Sequence, residues 1–136
     1  MQLKRDSSSE ENPPPKTRHE RGRAAEQAAC DYLHVRGFRI TARNRRLGAL
    51  EIDIIAEKGP LLVIVEVRTR AATSFDTGLS SINHEKRRNL LRAAQRLWRN
   101  ELRTRREIQR VRIDVASVSM TDTTLSITYI EGAIVG

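Results

Sequence analysis

The chain has 136 residues, 38% of them hydrophobic, which suits one globular domain with a modest core and leaves no room for two. Lys and Arg number 25 against 17 Asp and Glu, and the resulting charge of +8 favours a polyanionic partner such as nucleic acid over an acidic small molecule. Cys30 is the single cysteine, which excludes an internal disulfide and a cysteine-built zinc site; with no apolar run long enough for export or for a membrane span, the expected location is the cytoplasm and no membrane partner is expected.

Residues 1–19 contain Ser7, Ser8, Ser9, Glu10, Glu11, Pro13, Pro14 and Pro15 with no aliphatic anchor after Leu3, the composition of a disordered arm. The folded domain is expected over 20–136. Residues 20–36 read as a helix, with Ala24, Ala25, Ala28, Ala29, Tyr32 and Leu33 on one face and Gly37 as the stop. Glu26 borders that face, where a solvated helix glutamate is the plain reading. Residues 38–42 make a short strand candidate, and Arg43, Asn44, Arg45 and Arg46 a polar turn.

Two strand-like runs follow, 50–56 and 61–67, joined by a turn over 57–60. The second is almost continuously aliphatic, as expected of a strand covered on both faces, yet Glu66 sits near its end with Arg68 on the same face. A lone carboxylate there costs several kcal/mol unless it is protonated, paired or bound to a metal. Residues 69–81, with Phe75, Asp76 and Gly78, form a loop long enough to be functional. A second helix is expected over 83–105. Its stripe of Leu90, Leu91, Ala94, Leu97, Trp98 and Leu102 would dock, which gives Trp98 a core role, while Arg88, Arg92, Arg96, Arg99 and Arg103 face out roughly 140° away at ~100° per residue. Strands over 111–118 and 125–130 close the chain, antiparallel across a turn at 121–124.

Asp53 and Glu66, at the ends of neighbouring strands, are the oxygen ligands that Mg²⁺ (or Mn²⁺) prefers, and with a nearby cation they outline a phosphodiester-hydrolysing site. The alternative on spacing alone is a structural ion pair of Glu66 with Arg68 or Arg70. Residues 83–107 carry nine positive side chains against three negative, and Arg39, Arg43, Arg45 and Arg46 add a second cluster. Such stripes suit phosphate contacts, so Arg43, Arg45, Arg46, Lys86, Arg88, Arg92, Arg96, Arg99 and Arg103 are the expected nucleic-acid contacts; a solvated helix face is the plainer reading. His19, His34 and His84 are not spaced for a metal.

The order of Arg21-Gly22-Arg23-Ala24-Ala25-Glu26, Tyr32-Leu33, Gly37-Phe38, Asn44, Glu51-Ile52-Asp53-Ile54-Ile55-Ala56, Val65-Glu66-Val67-Arg68, Lys86 and Arg112-Ile113-Asp114-Val115 resembles the YraN family of small bacterial proteins, over residues 20–134. That family is similar to archaeal Holliday junction resolvases and to the restriction-endonuclease-like fold with its PD-(D/E)xK triplet. The resemblance implies an α/β domain with a mixed central sheet flanked by two main helices. It also implies a structure-directed DNA nuclease in which Asp53 and Glu66 hold the metal, the Val67 carbonyl assists, Glu26 completes the acidic shell and Arg68 stands at the lysine position. Fold analogy also admits a homodimer, since two-fold pairing suits a junction. Two departures matter: Leu50 replaces the family's glycine, with Gly48 two residues earlier, and Arg68 can stabilise a phosphate but cannot act as a base. The alternative is therefore a nuclease fold that binds nucleic acid or assembles without cleaving, and a weaker one is an RNA-processing or protein-interaction subunit.

Overall fold

The computed structural model describes residues 2–4, 17–71 and 82–134; for 2–4 and 71 only the backbone is described. Six strands and two helices follow in the order β1 (Gln2–Lys4), α1 (Arg18–Val35), β2 (Arg39–Leu47), β3 (Leu50–Lys58), β4 (Leu61–Ala71), α2 (His84–Leu97), β5 (Arg110–Met120) and β6 (Thr124–Ile134). The sheet order is β1-β6-β5-β4-β3-β2. β4 and β5 are parallel and every other neighbouring pair is antiparallel, so the sheet is mixed, as expected of the restriction-endonuclease-like class. The parallel pair needs a crossover, and α2 supplies it.

Period-two alternation along β4 divides the core. Leu62 and Ile64 pack with Leu90, Ala93 and Leu97 of α2 on one face, while Val63 and Val65 pack with Ala25, Ala29 and Leu33 of α1 on the other. Both helices begin on a side-chain cap: Thr17 accepts from the Glu20 amide at 3.0 Å, and Asn83 from the Lys86 amide at 2.9 Å. Two hairpin turns join β2 to β3 and β3 to β4, each of two residues. Gly48 and Gly59 lead them with φ of +66° and +58°, as a glycine at the first position of such a turn must. Gly48, displaced from the family position, therefore builds a regular turn, and Arg96 Nη1 locks it to α2 by donating to the Leu47 carbonyl at 2.8 Å.

Several local expectations differ from the structure. Gln2–Lys4 form an edge strand on β6, although residues 1–19 read as an arm without fold; residues 5–16 lie outside the described residues. Helix α1 begins at Arg18, two residues early, because Thr17 caps it. The supposed turn at residues 43–46 is the continuation of β2. The second helix changes to a π-helical turn at Trp98–Leu102, closed by the Arg103 amide donating to the Trp98 carbonyl at 3.0 Å. That wide turn brings Leu102 back to the buried face of Leu97, and it leaves Trp98 at the border, 42% exposed rather than in the core. The loop expected at 69–81 starts later, since β4 runs to Ala71, and its remainder lies outside the described residues.

β5 and β6 are tied by Asp114, which is fully buried and ionically saturated. Arg112 Nε and Nη2 donate to it at 2.8 and 2.9 Å, the Tyr129 hydroxyl at 2.6 Å and the Gly132 amide at 2.8 Å. Tyr129 in turn stacks on Tyr32 of α1 with centroids 4.7 Å apart. Replacing one partner of a buried, hydrogen-bonded charge pair leaves the other uncompensated, so Asp114→Ala is expected to lower the unfolding free energy by roughly 3–5 kcal/mol in urea denaturation. A loss under 1 kcal/mol would mean that the knot is not closed in solution.

Candidate functional site

β3 and β4 pair from the Gly59-Pro60 turn as far as Ile54 and Val65, and there the ladder stops. The next residues are Asp53 and Glu66, so both acids stand where the strands part. The Val67 amide, released from strand pairing with β3, donates to Asp53 Oδ2 at 2.8 Å. Alternation sends Glu66 to the α2 side with Leu62 and Ile64, where it is 4% exposed. Val67 points to the α1 side. The two carboxyl groups are close enough that each shifts the other's protonation.

On the α1 side Asp53 and Val67 line a cleft of about 470 Å³ with Thr69, Asn44, Glu26 and the start of α1, where Arg18, His19 and Arg23 contribute. Glu26 also lines this cleft, where Arg43 Nε and Asn44 Nδ2 donate to its Oε1 at 2.9 and 3.0 Å. Asn44 reaches it from a φ of +51°, a conformation that asparagine tolerates better than most residues. On the α2 side Lys86 Nζ lies 3.3 Å from Glu66 Oε2. Lys86 reads in the sequence as one more phosphate contact; here it is the ammonium group on the acid pair. Arg68 is half-buried on the same side of β4 as Glu66, opposite Ser117 of β5.

Burial raises the pKa of both acids, because it penalises their charged forms. Glu66 is pushed up to about 7, first by burial and then by the Asp53 charge, with Lys86 opposing. For Asp53 the Val67 amide, the Glu66 hydrogen bond and Lys86 oppose the rise. The pair therefore gives up its protons less readily than two exposed carboxyl groups would. Among the described residues no group of three or more His, Cys, Asp or Glu side chains is arranged as a metal cluster. Two carboxylates still suit a hard divalent ion, which takes one or two of them and keeps waters for its other positions. The donor set fits in charge as well, since a divalent ion would offset the burial and mutual repulsion that hold both carboxyl groups above their usual range. Val67 meets the site through its amide nitrogen; the resemblance gives it a role through its carbonyl.

The basic residues divide into two kinds. Arg43 pairs with Glu26, Arg45 with Glu101, Arg46 with Glu51 at 3.6 Å and Arg39 with Glu57 at 3.6 Å, so the β2 cluster is engaged within the fold. Arg96 holds the Gly48 turn. Arg88, Arg92, Arg99 and Arg103 are exposed and, among the described residues, make no ion pair. Their face looks away from the sheet on the α2 side, across from the cleft, and only Lys86 brings α2 charge to the acids.

The model of the uncharacterised protein family UPF0102 matches residues 25–118, a span that contains Glu26, Asp53, Glu66 and Lys86. A UPF0102 protein of Sorangium cellulosum is 46% identical over 98 residues, 72% of this chain and 68% of that protein. One from Nitratidesulfovibrio vulgaris is 47% identical over 81 residues, 60% of each chain, so the match spans less than two thirds of its length. One from Persephonella marina is 37% identical over 99 residues, 72% of this chain and 82% of that protein. The chain belongs to the UPF0102 family, which is the YraN family its motifs resemble. Among the described residues no helix is long and apolar enough to cross a membrane.

The raised Glu66 pKa has a sign that can be measured. The folded chain binds a proton that the unfolded chain releases from about pH 4.5 upward, so this residue's contribution to stability falls as pH rises from about 4.5 to about 7. Glu66→Gln in metal-free protein is expected to flatten that decline and to raise stability at pH 8 by up to roughly 3 kcal/mol, at 1.36 kcal/mol per pKa unit. Urea melts at pH 5 and pH 8 check it, and equal pH dependence in both proteins would contradict the buried carboxyl pair.

Proposed function

We propose that the protein is a divalent-metal-dependent, structure-directed DNA nuclease or a DNA-processing relative of one, acting in the cytoplasm. The observation that carries the reading is the carboxyl pair Asp53–Glu66 at the strand fork, with the Lys86 ammonium 3.3 Å from Glu66 and an open cleft over Asp53. Asp53 and Glu66 would hold Mg²⁺ or Mn²⁺, which when bound polarises a phosphate and lowers the pKa of a water. The cleft walls supply Arg18 and Arg23 to orient a phosphodiester over Asp53. Hydrolysis forms a bond from water oxygen to phosphorus and breaks the bond to one ester oxygen, which leaves as an alcohol after taking up a proton. Lys86 and Arg68 stand on the Glu66 side to stabilise the charge that develops. Lys86 thereby offers an amine of the kind that the restriction-endonuclease-like triplet places two residues after its acid, where this chain has Arg68. Exposed Arg88, Arg92, Arg99 and Arg103 add affinity without sequence information.

A second reading is a binding module that does not cleave. The Lys86–Glu66 ion pair favours it, because it already compensates part of the charge that a metal would neutralise. The two are separated by incubating the protein with branched, flapped and single-stranded DNA in Mg²⁺ or Mn²⁺. The nuclease reading expects cleavage that Asp53→Asn abolishes and that Lys86→Ala slows by about 10²–10³-fold, with binding retained. Salt-dependent binding without cleavage in any of these conditions selects the module. Replacing Arg88, Arg92, Arg99 and Arg103 together by Gln is expected to weaken binding and flatten its salt dependence, leaving the cleavage rate of saturated enzyme unchanged.

A further inference from the structure

The sheet-facing side of α1 continues past the sheet. Ala29 and Leu33 are wholly buried with Val63 and Val65 of β4, and at ~100° per residue the position of Gly22, seven and eleven residues earlier, lies within about 20° of each. Arg18 and Arg23 precede buried Ala25 and Cys30 by seven residues and share that side. Yet Arg18, Gly22 and Arg23 are exposed, because here α1 overhangs the cleft over Asp53, which all three line together with Thr69 of β4. Glycine is the poorest helix former after proline, and a Cβ at Gly22 would meet no atom of the described residues within 4 Å. Packing within the fold therefore gives no reason for a glycine there; bare backbone serves something that must come close. Arg18 and Arg23 make no ion pair among the described residues, whereas the acids of the cleft are engaged, Glu26 by Arg43 and Asp53 by the Val67 amide.

We propose that Gly22 is the seat of a single nucleic-acid strand: the strand's backbone lies against the bare α1 backbone there, and the missing side chain decides whether it enters. Resting on the reading that the cleft takes nucleic acid, the seat specifies the form that is taken. A cleft of about 470 Å³ is the size of a small-molecule site, so it admits a nucleotide or so of one strand and not the width of a duplex. Arg18 and Arg23 stand roughly 7.5 Å apart along the helix axis, on either side of Gly22, which lets them hold different phosphates of that strand. Phosphate contacts carry no sequence information, so the seat selects an unpaired segment of any sequence, as at a frayed end, a flap or a gap. Asp53 lines the same cleft, and the unpaired segment is what the acid pair meets.

Fluorescence anisotropy tests the seat with labelled oligothymidylate of about 15 nucleotides and a blunt duplex of the same length. The full-length protein is used without divalent metal, so that binding is read apart from cleavage. Its Arg88, Arg92, Arg99 and Arg103 are replaced by Gln, which removes the exposed face of α2 as a competing contact. The single strand is expected to bind more tightly than the duplex, although the duplex carries twice the charge. Gly22→Ala is expected to weaken strand binding while raising Tm by about 2–4 °C, because alanine suits the helix better. Gly22→Leu, also a good helix former, is expected to weaken it roughly tenfold or more by filling the approach. Arg18→Gln and Arg23→Gln each lower the slope of log affinity on log salt by about 0.7. Thermal melts verify that each variant is folded; if Gly22→Leu is not, Gly22→Ala and the two arginine variants decide. Folded Gly22 variants that bind the strand as the parent does overturn the seat, as does a duplex bound as tightly as the strand, or no binding of the strand. Cleavage assays keep the two readings apart. A protein that cuts nothing yet loses the strand in Gly22→Leu retains the seat and loses the nuclease reading, whereas cleavage undiminished in Gly22→Leu does the reverse.

Discussion

The pairing of the Asp53 and Glu66 carboxyl groups, with Glu66 buried and Asp53 opening on the cleft, constrains much of what surrounds it. Two acids hold that position only if the backbone and a cation accommodate them. β3 and β4 stop pairing at Ile54 and Val65, which frees the Val67 amide for Asp53. α2 must then begin where its first turn reaches Glu66, and the Asn83 cap fixes that start. A shift of α2 by one residue would move Lys86 about 100° around the helix axis and leave Glu66 without its ammonium. The acids thus couple the sheet to a helix as well as forming a site.

Charge is divided by task. Arg105 grips buried Glu57 with two hydrogen bonds, at 3.0 and 2.8 Å, which hold that carboxyl below its usual range; Arg45 meets Glu101, and Arg112 meets Asp114. The first two pairs join segments distant in the chain and fasten β3 and β2 to the stretch that follows α2, while Asp114 ties β5 to β6 through Tyr129 and Gly132. The surplus gathers on the outward face of α2 and at Arg110. A net positive charge therefore coexists with an interior in which the buried carboxylates are satisfied, and the polyanion-seeking surface is separate from the fold's own ionic ties.

Much of this was legible in the sequence where one physical rule dominates. Aliphatic runs interrupted by Asp53 and Glu66 announced costly acids on paired strands, and the helices and closing hairpin followed from periodicity. The misreadings arose where partners are remote. Arg43, Asn44, Arg45 and Arg46 look like a polar turn because nothing local shows that Glu26, Glu51 and Glu101 will pair with the arginines of the strand they form. Trp98 looks like core because periodicity marks a stripe but not which border is covered; the buried line runs through Leu90, Ala93 and Leu97, and the π turn then returns Leu102 to it. Lys86 was visible as a charge, but its place on Glu66 depends on a crossover helix returning over the strand that carries the acid. For Arg18 and Arg23 in the cleft wall the only signal was their position one turn or two before Glu26 on the same helix.

The central claim is that Asp53 and Glu66 form a cation site. It is tested most directly by a crystal structure of the protein soaked in Mn²⁺ and measured for anomalous scattering. The account predicts a peak within coordination distance of oxygens from both Asp53 and Glu66, with Lys86 Nζ moved away from Glu66, and loss of that peak in Asp53→Asn. No peak between the carboxyl groups at saturating Mn²⁺, with the Lys86–Glu66 ion pair intact, would contradict it.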